Sequence, residues 1–254
     1  MQTTTEIKDN MSEKKHSKNY VFHFHTNSKA ANDINRIIAL QECCFEYICK
    51  MLDINFQGPI EYFLCNSREE VGILEGSNIA GNGVANPIEK KIYAVYNEEI
   101  QCVGSHEDVH VISHQLNEEG SYALGEGLAM FFDKNWWGIH NTAWTFFYIN
   151  NDQYQKIVDL VDNDYFDWID CSVSYPIMGC FTEYLILTYG IDRFKELYHS
   201  KYDDLLNSFE FCYKKSLAEM ETEFLIYVKM FPNAKPIDDI IRLSIKEYKD
   251  YIDK

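Results

Sequence analysis

The chain has 254 residues, of which 46% are apolar and 15% aromatic, so it can bury a substantial core, and fully disordered and low-complexity classes are excluded. Its 23 basic and 40 acidic residues give a formal charge of -17, which disfavours nucleic acid and anionic membranes as partners. No apolar run approaches the roughly 18 residues of a membrane span, and the polar first twenty residues do not read as a secretory signal. We therefore expect a cytoplasmic protein whose eight cysteines are reduced thiols.

The first half of the chain predicts strands that alternate with helices. Residues 1–18 are polar and are expected to form a mobile tail outside the fold. The apolar periodicity that follows predicts strand, long helix, strand, short helix and strand, at 20–25, 28–52, 59–65, 67–74 and 91–96. A Gly- and Asn-rich loop occupies 76–87, and within it residues 81–85 are either a plain surface turn or the lead into an edge strand.

From Ser105 onward the pattern is helical almost without interruption. Helices are predicted at 105–116, 121–133, 141–150, 153–161, 176–189, 192–199, 215–230 and 236–253. Pro176 suits the first turn of its helix. The expected fold class is α+β: an N-terminal lobe at 19–104 with a small mixed sheet and helices, and a mainly helical lobe at 105–254, with a cleft between them.

The helix that begins near Ser105 carries the motif HEDVH, which has the form HExxH. His106 and His110 are four residues apart, so both imidazoles project from one helix face and can reach a single ion. Glu107 then lies beside the ion, where it can take a proton from water. Asp108 lies three residues after Ser105, the spacing of a capping box, and needs no catalytic role.

A third ligand is needed, and Glu126 is the candidate. It stands sixteen residues after His110 in a second amphipathic segment, and a short link at 117–120 allows the two helices to fold back on each other. Two histidines and one glutamate leave the fourth tetrahedral position for water, which is typical of a catalytic site for one Zn²⁺ ion. The alternative is two solvated helices with surface His and Glu.

Other histidines do not make an equally good site. His114 continues the i, i+4 series but is expected to be a neighbour that lines the cleft, because a straight helix cannot wrap three turns around one ion. His23 and His25 are expected to lie on a solvated strand face.

Four sequence blocks resemble the gluzincins, the HExxH zinc metallopeptidases of the MA clan that include the catalytic core of zinc aminopeptidases. They are HEDVH at 106–110, EGLAMFF at 126–132, YPIMGCFTEYLILTYG at 175–190 and KKSLAEMETEFLIYV at 214–228. The resemblance implies His106, His110 and Glu126 as zinc ligands, Glu107 as general base and Tyr175 as the hydroxyl that steadies the oxyanion. It implies a peptidase that acts on peptide or protein substrates.

One departure from the family keeps a second function open. Aminopeptidases of the group carry a Gly-x-Met-Glu-Asn strand whose Glu binds the substrate amine, whereas this chain has Gly83-Val84-Ala85-Asn86. The expected function is a zinc-dependent peptide hydrolase, and the alternative is a catalytically inactive zinc-containing binding protein. A third option is a closed zinc site that only ties two helices together.

Overall fold

A computed structural model describes residues 3–201, 205–232 and 235–252 of the chain. It confirms the predicted α+β class, because a five-stranded mixed sheet with helices comes first and a largely helical part follows. The predictions for residues 1, 2 and 253 lie outside the described residues.

Internal contacts group the chain into two compact units, Met1–Gln115 and Leu116–Lys254. The predicted lobes at 19–104 and 105–254, and the cleft between them, stay a prediction. No helix among the described residues is long and apolar enough to cross a bilayer.

The first unit is built on a sheet with strand order β1-β2-β3-β5-β4. Its strands are β1 (Glu13–His16), β2 (Tyr20–Phe24), β3 (Ile60–Cys65), β4 (Gly83–Asn86) and β5 (Lys91–Val95). The central strands β2, β3 and β5 run parallel, while β1 and β4 pair antiparallel at the two edges. The parallel strands are short apolar runs, which is typical of strands that are covered on both faces.

The helices described in this unit are α1 (Thr4–Asn10), α2 (Lys29–Leu52), α3 (Arg68–Glu75) and α4 (His106–Ser113). The Ser28 hydroxyl accepts from the Ala31 amide at the start of α2, and the Ser67 hydroxyl accepts from the Glu70 amide at the start of α3. These serine caps satisfy amides that a helix start leaves without a partner. They explain why the predicted helix starts agree with the observed ones to within one residue.

The expectation that residues 1–18 lie outside the fold is wrong for the described residues 3–18, which form α1 and β1. Ile7 is fully buried and Met11 is nearly so, in an apolar cluster with Phe63 and Tyr93 of the sheet. The Thr3 hydroxyl and the Glu6 carboxylate also form a capping box at the start of α1. These two buried side chains and the pairing of β1 with β2 attach the otherwise polar segment to the sheet.

The described residues of the second unit form helices and one short hairpin of β6 (Asn135–Trp136) and β7 (Ile139–His140). Its helices are α5 (Tyr122–Asp133), α6 (Asn141–Asn150), α7 (Ile157–Leu160), α8 (Asn163–Trp168), α9 (Cys171–Tyr189), α10 (Ile191–Tyr198), α11 (Leu205–Tyr213), α12 (Leu217–Lys229) and α13 (Lys235–Ile252). The periodicity predicted most of them but missed α8 and α11, and it predicted α7 too long.

Helices α5 and α9 approach each other closely through two glycines. A Cβ atom at Gly127 would lie 2.5 Å from Thr182 Oγ1, and one at Gly179 would lie 2.6 Å from Met130 Cβ. Since real side chains do not approach this closely, the two positions admit only glycine without a shift. This contact fixes the backbone of α5 directly after Glu126.

Pro176 does not stand in the first turn, as its sequence context predicts, but inside α9, five residues after the helix begins at Cys171. Proline has no amide hydrogen, so it cannot donate to the carbonyl of Ser172, four residues earlier. The Tyr148 hydroxyl donates to that carbonyl instead, over 2.8 Å. The partner from α6 explains why the helix continues through the proline.

Candidate metal centre

Helix α4 presents its two histidines on one face. The ring centroids of His106 and His110 lie 5.1 Å apart, with the ring planes at 72° to each other. The chain enters the helix through Gly104, whose φ of 144° is in the region that favours glycine. The predicted spacing of the two imidazoles is therefore present, on a helix of 8 residues.

Glu107 lies against the edge strand β4. A Cβ atom at Gly83 would lie 2.5 Å from Glu107 Oε1 and 3.1 Å from Cys102 Sγ. The absence of a side chain at Gly83 thus provides the space that the Glu107 carboxylate occupies. The loop at 76–87 contains an edge strand, as one of the two sequence interpretations expected.

Asp108 does not form the predicted capping box, because the Ser105 side chain makes no cap hydrogen bond. The side chain of Asp108 is fully buried. Its Oδ2 accepts from the Tyr20 hydroxyl over 2.6 Å and from Gln41 Nε2 over 2.9 Å. The sequence spacing alone could not reveal this, since both partners lie more than sixty residues away in the chain.

Glu126 lies in α5 and is half-buried, like the two histidines. His106, His110 and Glu126 each offer one ligand atom, and the three atoms all lie within 4.8 Å of one another. The structure thus places the three predicted ligands together. Among the described residues, this is the one group of three or more His, Cys, Asp and Glu side chains that is arranged to hold a metal ion.

The donor set fits a small divalent ion. Imidazole nitrogens and carboxylate oxygens bind Zn²⁺ at about 2.0–2.2 Å, which places tetrahedral ligands about 3.3–3.6 Å from one another. The three ligand atoms, all within 4.8 Å of one another, are close enough to share one such ion. Two histidines and one carboxylate also leave a coordination position for another group, which distinguishes this set from a closed structural site.

Tyr175 lies one turn into α9 and is half-buried. Its ring contacts those of Trp136 and Phe166, with centroids 5.6 Å and 5.9 Å away. Cys171 is four residues earlier and so shares a helix face with Tyr175. Burial raises the pKa of the Cys171 thiol, and the carboxylates of Asp170 and Glu126 add to the rise, so this face of α9 lies near Glu126. The role of Tyr175 stays a prediction.

The other histidines have different surroundings. His114 is half-buried at the C-terminal end of α4. His23 and His25 do not lie on a solvated strand face, because both side chains are mostly buried. His25 Nε2 lies 3.1 Å from a Glu70 carboxylate oxygen, and His23 Nε2 lies 3.5 Å from one of Glu61.

The chain matches no protein-family model, and no curated protein sequence is significantly similar to it.

Proposed function

We propose that this protein is a metal-dependent hydrolase of peptide bonds that works in the manner of the gluzincins, with one Zn²⁺ ion held by His106, His110 and Glu126. The observation that carries the proposal is the convergence of these three ligand atoms, together with Glu107 next to the first histidine. When bound, the ion supplies a Lewis acid that polarises a carbonyl and lowers the pKa of a water molecule.

In this proposal, Glu107 is the general base. Its carboxylate accepts the proton of the attacking water and then delivers it to the leaving amine. Its position supports the role, because residue 107 follows His106 directly and its carboxylate lies against Gly83 of the edge strand.

The proposed substrate is an extended peptide or protein segment. Within the sheet of the first unit, β4 is a terminal strand and pairs with β5 alone. An edge strand offers backbone amides and carbonyls to which an extended chain can bind as an additional strand. A peptide paired along 83–86 would pass the Glu107 carboxylate, because Gly83 is at the start of that strand.

Tyr175 is assigned the role of oxyanion donor. A phenol hydroxyl can donate to the oxygen on which negative charge develops during attack on the carbonyl. Support comes from the half-buried position of Tyr175 on the face of α9 that lies near Glu126.

A binding protein that holds zinc without turnover is the second candidate. The observation that favours it is the sequence of β4, Gly-Val-Ala-Asn, which has no carboxylate to bind a substrate amine. For an active protein, the same observation favours cleavage within a chain over removal of an N-terminal residue.

All eight cysteines carry free thiols, which is consistent with the proposed cytoplasmic location.

Digestion of a peptide library by the zinc-loaded protein tests the proposal. We expect cleavage that a chelator abolishes and that Glu107→Gln lowers by about 10²–10⁴-fold while zinc remains bound. Glu69→Gln is the matched control, since Glu69 is also the second residue of an eight-residue helix. Zinc binding with no cleavage at any sequence would favour the inactive binding protein, and undiminished cleavage by Glu107→Gln would refute the mechanism.

A further inference from the structure

A buried hydrogen-bond network anchors one side of α4, opposite the face that carries His106 and His110. Residue 108 is two positions from each histidine, which places its side chain about 160° around the helix axis from theirs. The Asp108 carboxylate is fully buried and accepts from Tyr20 of β2 and from Gln41 of α2. Three separate elements are thus joined at one carboxylate.

Gln41 makes this connection more extensive. Its Nε2 also donates to the Gly104 carbonyl over 3.0 Å, so one amide group holds both the chain that enters α4 and the first turn of the helix. The Tyr20 hydroxyl also lies 3.1 Å from the main-chain carbonyl oxygen of Gln41. Burial raises the pKa of the Tyr20 phenol well above its usual value, and the Asp108 charge raises it further, so Tyr20 remains a donor.

We infer that Asp108 is a positioning residue that fixes the rotation of α4 about its own axis, and with it the directions of His106, His110 and Glu107. The inference rests on the metal site of the proposed function. An apolar side chain at position 108 would also be buried, but it would permit small rotations and shifts of the helix, because dispersion contacts have little directional preference. Two short hydrogen bonds to one oxygen are directional, and they define a single orientation of the helix.

The network differs from an ordinary stabilising contact in what its loss does. A buried carboxylate is costly without hydrogen-bond donors, and Tyr20 and Gln41 supply them to Asp108. A rotation of α4 by a few degrees moves both imidazoles away from a common centre. Groups that orient metal ligands from outside the coordination shell change metal affinity by about 10–100-fold, and we expect an effect of that order for Asp108.

Three substitutions separate positioning from general stability. Asp108→Leu has a similar size but no acceptor. Asp108→Asn keeps an oxygen that can accept from both Tyr20 and Gln41, and Tyr20→Phe removes one donor. Glu42→Leu is the matched control, because the Glu42 carboxylate anchors α2 through Ser17 and Asn19 and makes none of the network's hydrogen bonds.

The measurements are Co²⁺ affinity, with the Co²⁺ absorption spectrum, and hydrogen exchange of the α4 amides without metal. We expect Asp108→Leu to weaken Co²⁺ binding by about 10–100-fold, to alter the spectrum and to speed exchange in α4. Asp108→Asn should keep most of the wild-type Co²⁺ affinity and most of the slow exchange in α4. Tyr20→Phe should lie between Asp108→Leu and the wild type. Glu42→Leu should leave the spectrum and the α4 exchange unchanged.

The inference is overturned if the α4 amides of Asp108→Leu exchange hydrogen as slowly as those of the wild type. If Asp108→Leu does not fold, Tyr20→Phe takes its place in this comparison. It is also overturned if Asp108→Asn loses Co²⁺ as completely as Asp108→Leu. If the wild type binds no Co²⁺, the proposed function fails, and exchange in the metal-free variants alone decides whether Asp108 fixes α4.

Discussion

Gly83 and Glu107 are so close that a single methyl group at position 83 would collide with the glutamate carboxylate. The added Cβ would lie 2.5 Å from Glu107 Oε1, well inside van der Waals contact. Gly83 is the first residue of the edge strand, and Glu107 is the second residue of α4. The backbone of one element therefore determines where the carboxylate of the other can lie.

Gly83→Ala should displace the Glu107 carboxylate and lower peptide hydrolysis by about 100-fold, because a shift of about 1 Å in a reacting group has effects of that size. Zinc content should not change, since the three ligands are elsewhere. Gly81→Ala is the control, because its Cβ would meet no atom closer than 3.9 Å. Steady-state kinetics and metal analysis measure both, and full activity in Gly83→Ala would contradict the role given to Glu107.

Tyr175→Phe tests the oxyanion donor. Loss of one such donor should reduce kcat by about 10²–10³-fold with little change in KM, because the hydrogen bond strengthens as charge develops. Tyr165→Phe, which removes a half-buried hydroxyl that donates to Gln155, should keep the wild-type kcat. An equal kcat for Tyr175→Phe and the wild type would assign the ring to packing with Trp136 and Phe166 alone.

Gly127→Ala tests the close contact between α5 and α9. The new Cβ would lie 2.5 Å from Thr182 Oγ1 and 3.0 Å from the Met178 carbonyl oxygen. Overpacking of this kind should lower the free energy of unfolding by about 1–3 kcal/mol.

The control for this change is Gly125→Ala in the same helix, where the nearest atom would be 3.9 Å away. It should keep or raise the stability, since alanine favours a helix over glycine by about 1 kcal/mol. Urea unfolding measures both variants, and equal stability of the two would show that the helices do not need glycine at position 127.

The pair of His25 and Glu70 should make stability depend on pH. A hydrogen bond to Glu70 raises the pKa of His25 above the usual 6.5. Burial acts to raise the pKa of Glu70, but hydrogen bonds from His25 and the Asn66 amide lower it below the usual 4.5. The stabilisation is therefore complete between about pH 4.5 and 6.5, and it is lost as the pH rises through the raised pKa of His25.

His25→Gln should accordingly reduce the free energy of unfolding by about 1–2 kcal/mol near pH 5.5 and by much less near pH 9. His16→Gln, at an exposed histidine of β1, is the control for the substitution itself. Urea unfolding at the two pH values measures the difference. If His25→Gln lowers the free energy of unfolding equally at both pH values, the charged pair does not form.

The sequence predicts the parts of this molecule that depend on local pattern. Apolar periodicity and serine caps locate α2 and α3, and the i, i+4 spacing locates the histidines of α4. It does not predict α1, because only Ile7 and Met11 in that polar segment are buried by the distant sheet.

The site shows the same limit. The ligands are predictable because the chemistry requires particular residue types at particular spacings. The surroundings of Glu107 and Asp108 are not, because Gly83, Tyr20 and Gln41 are brought to α4 only by the tertiary fold. Pro176 is tolerated inside α9 for the same reason, since Tyr148 comes from another helix.

Zinc stoichiometry, measured by titration of the metal-free protein, tests the central claim most directly. We predict one ion per chain, with affinity reduced by more than about 100-fold in His110→Ala and in Glu126→Ala. His114→Ala, one turn beyond His110 on the same helix, should bind as the wild type does. Failure of the wild type to bind one equivalent, or equal affinity in Glu126→Ala, would contradict a metal centre formed by His106, His110 and Glu126.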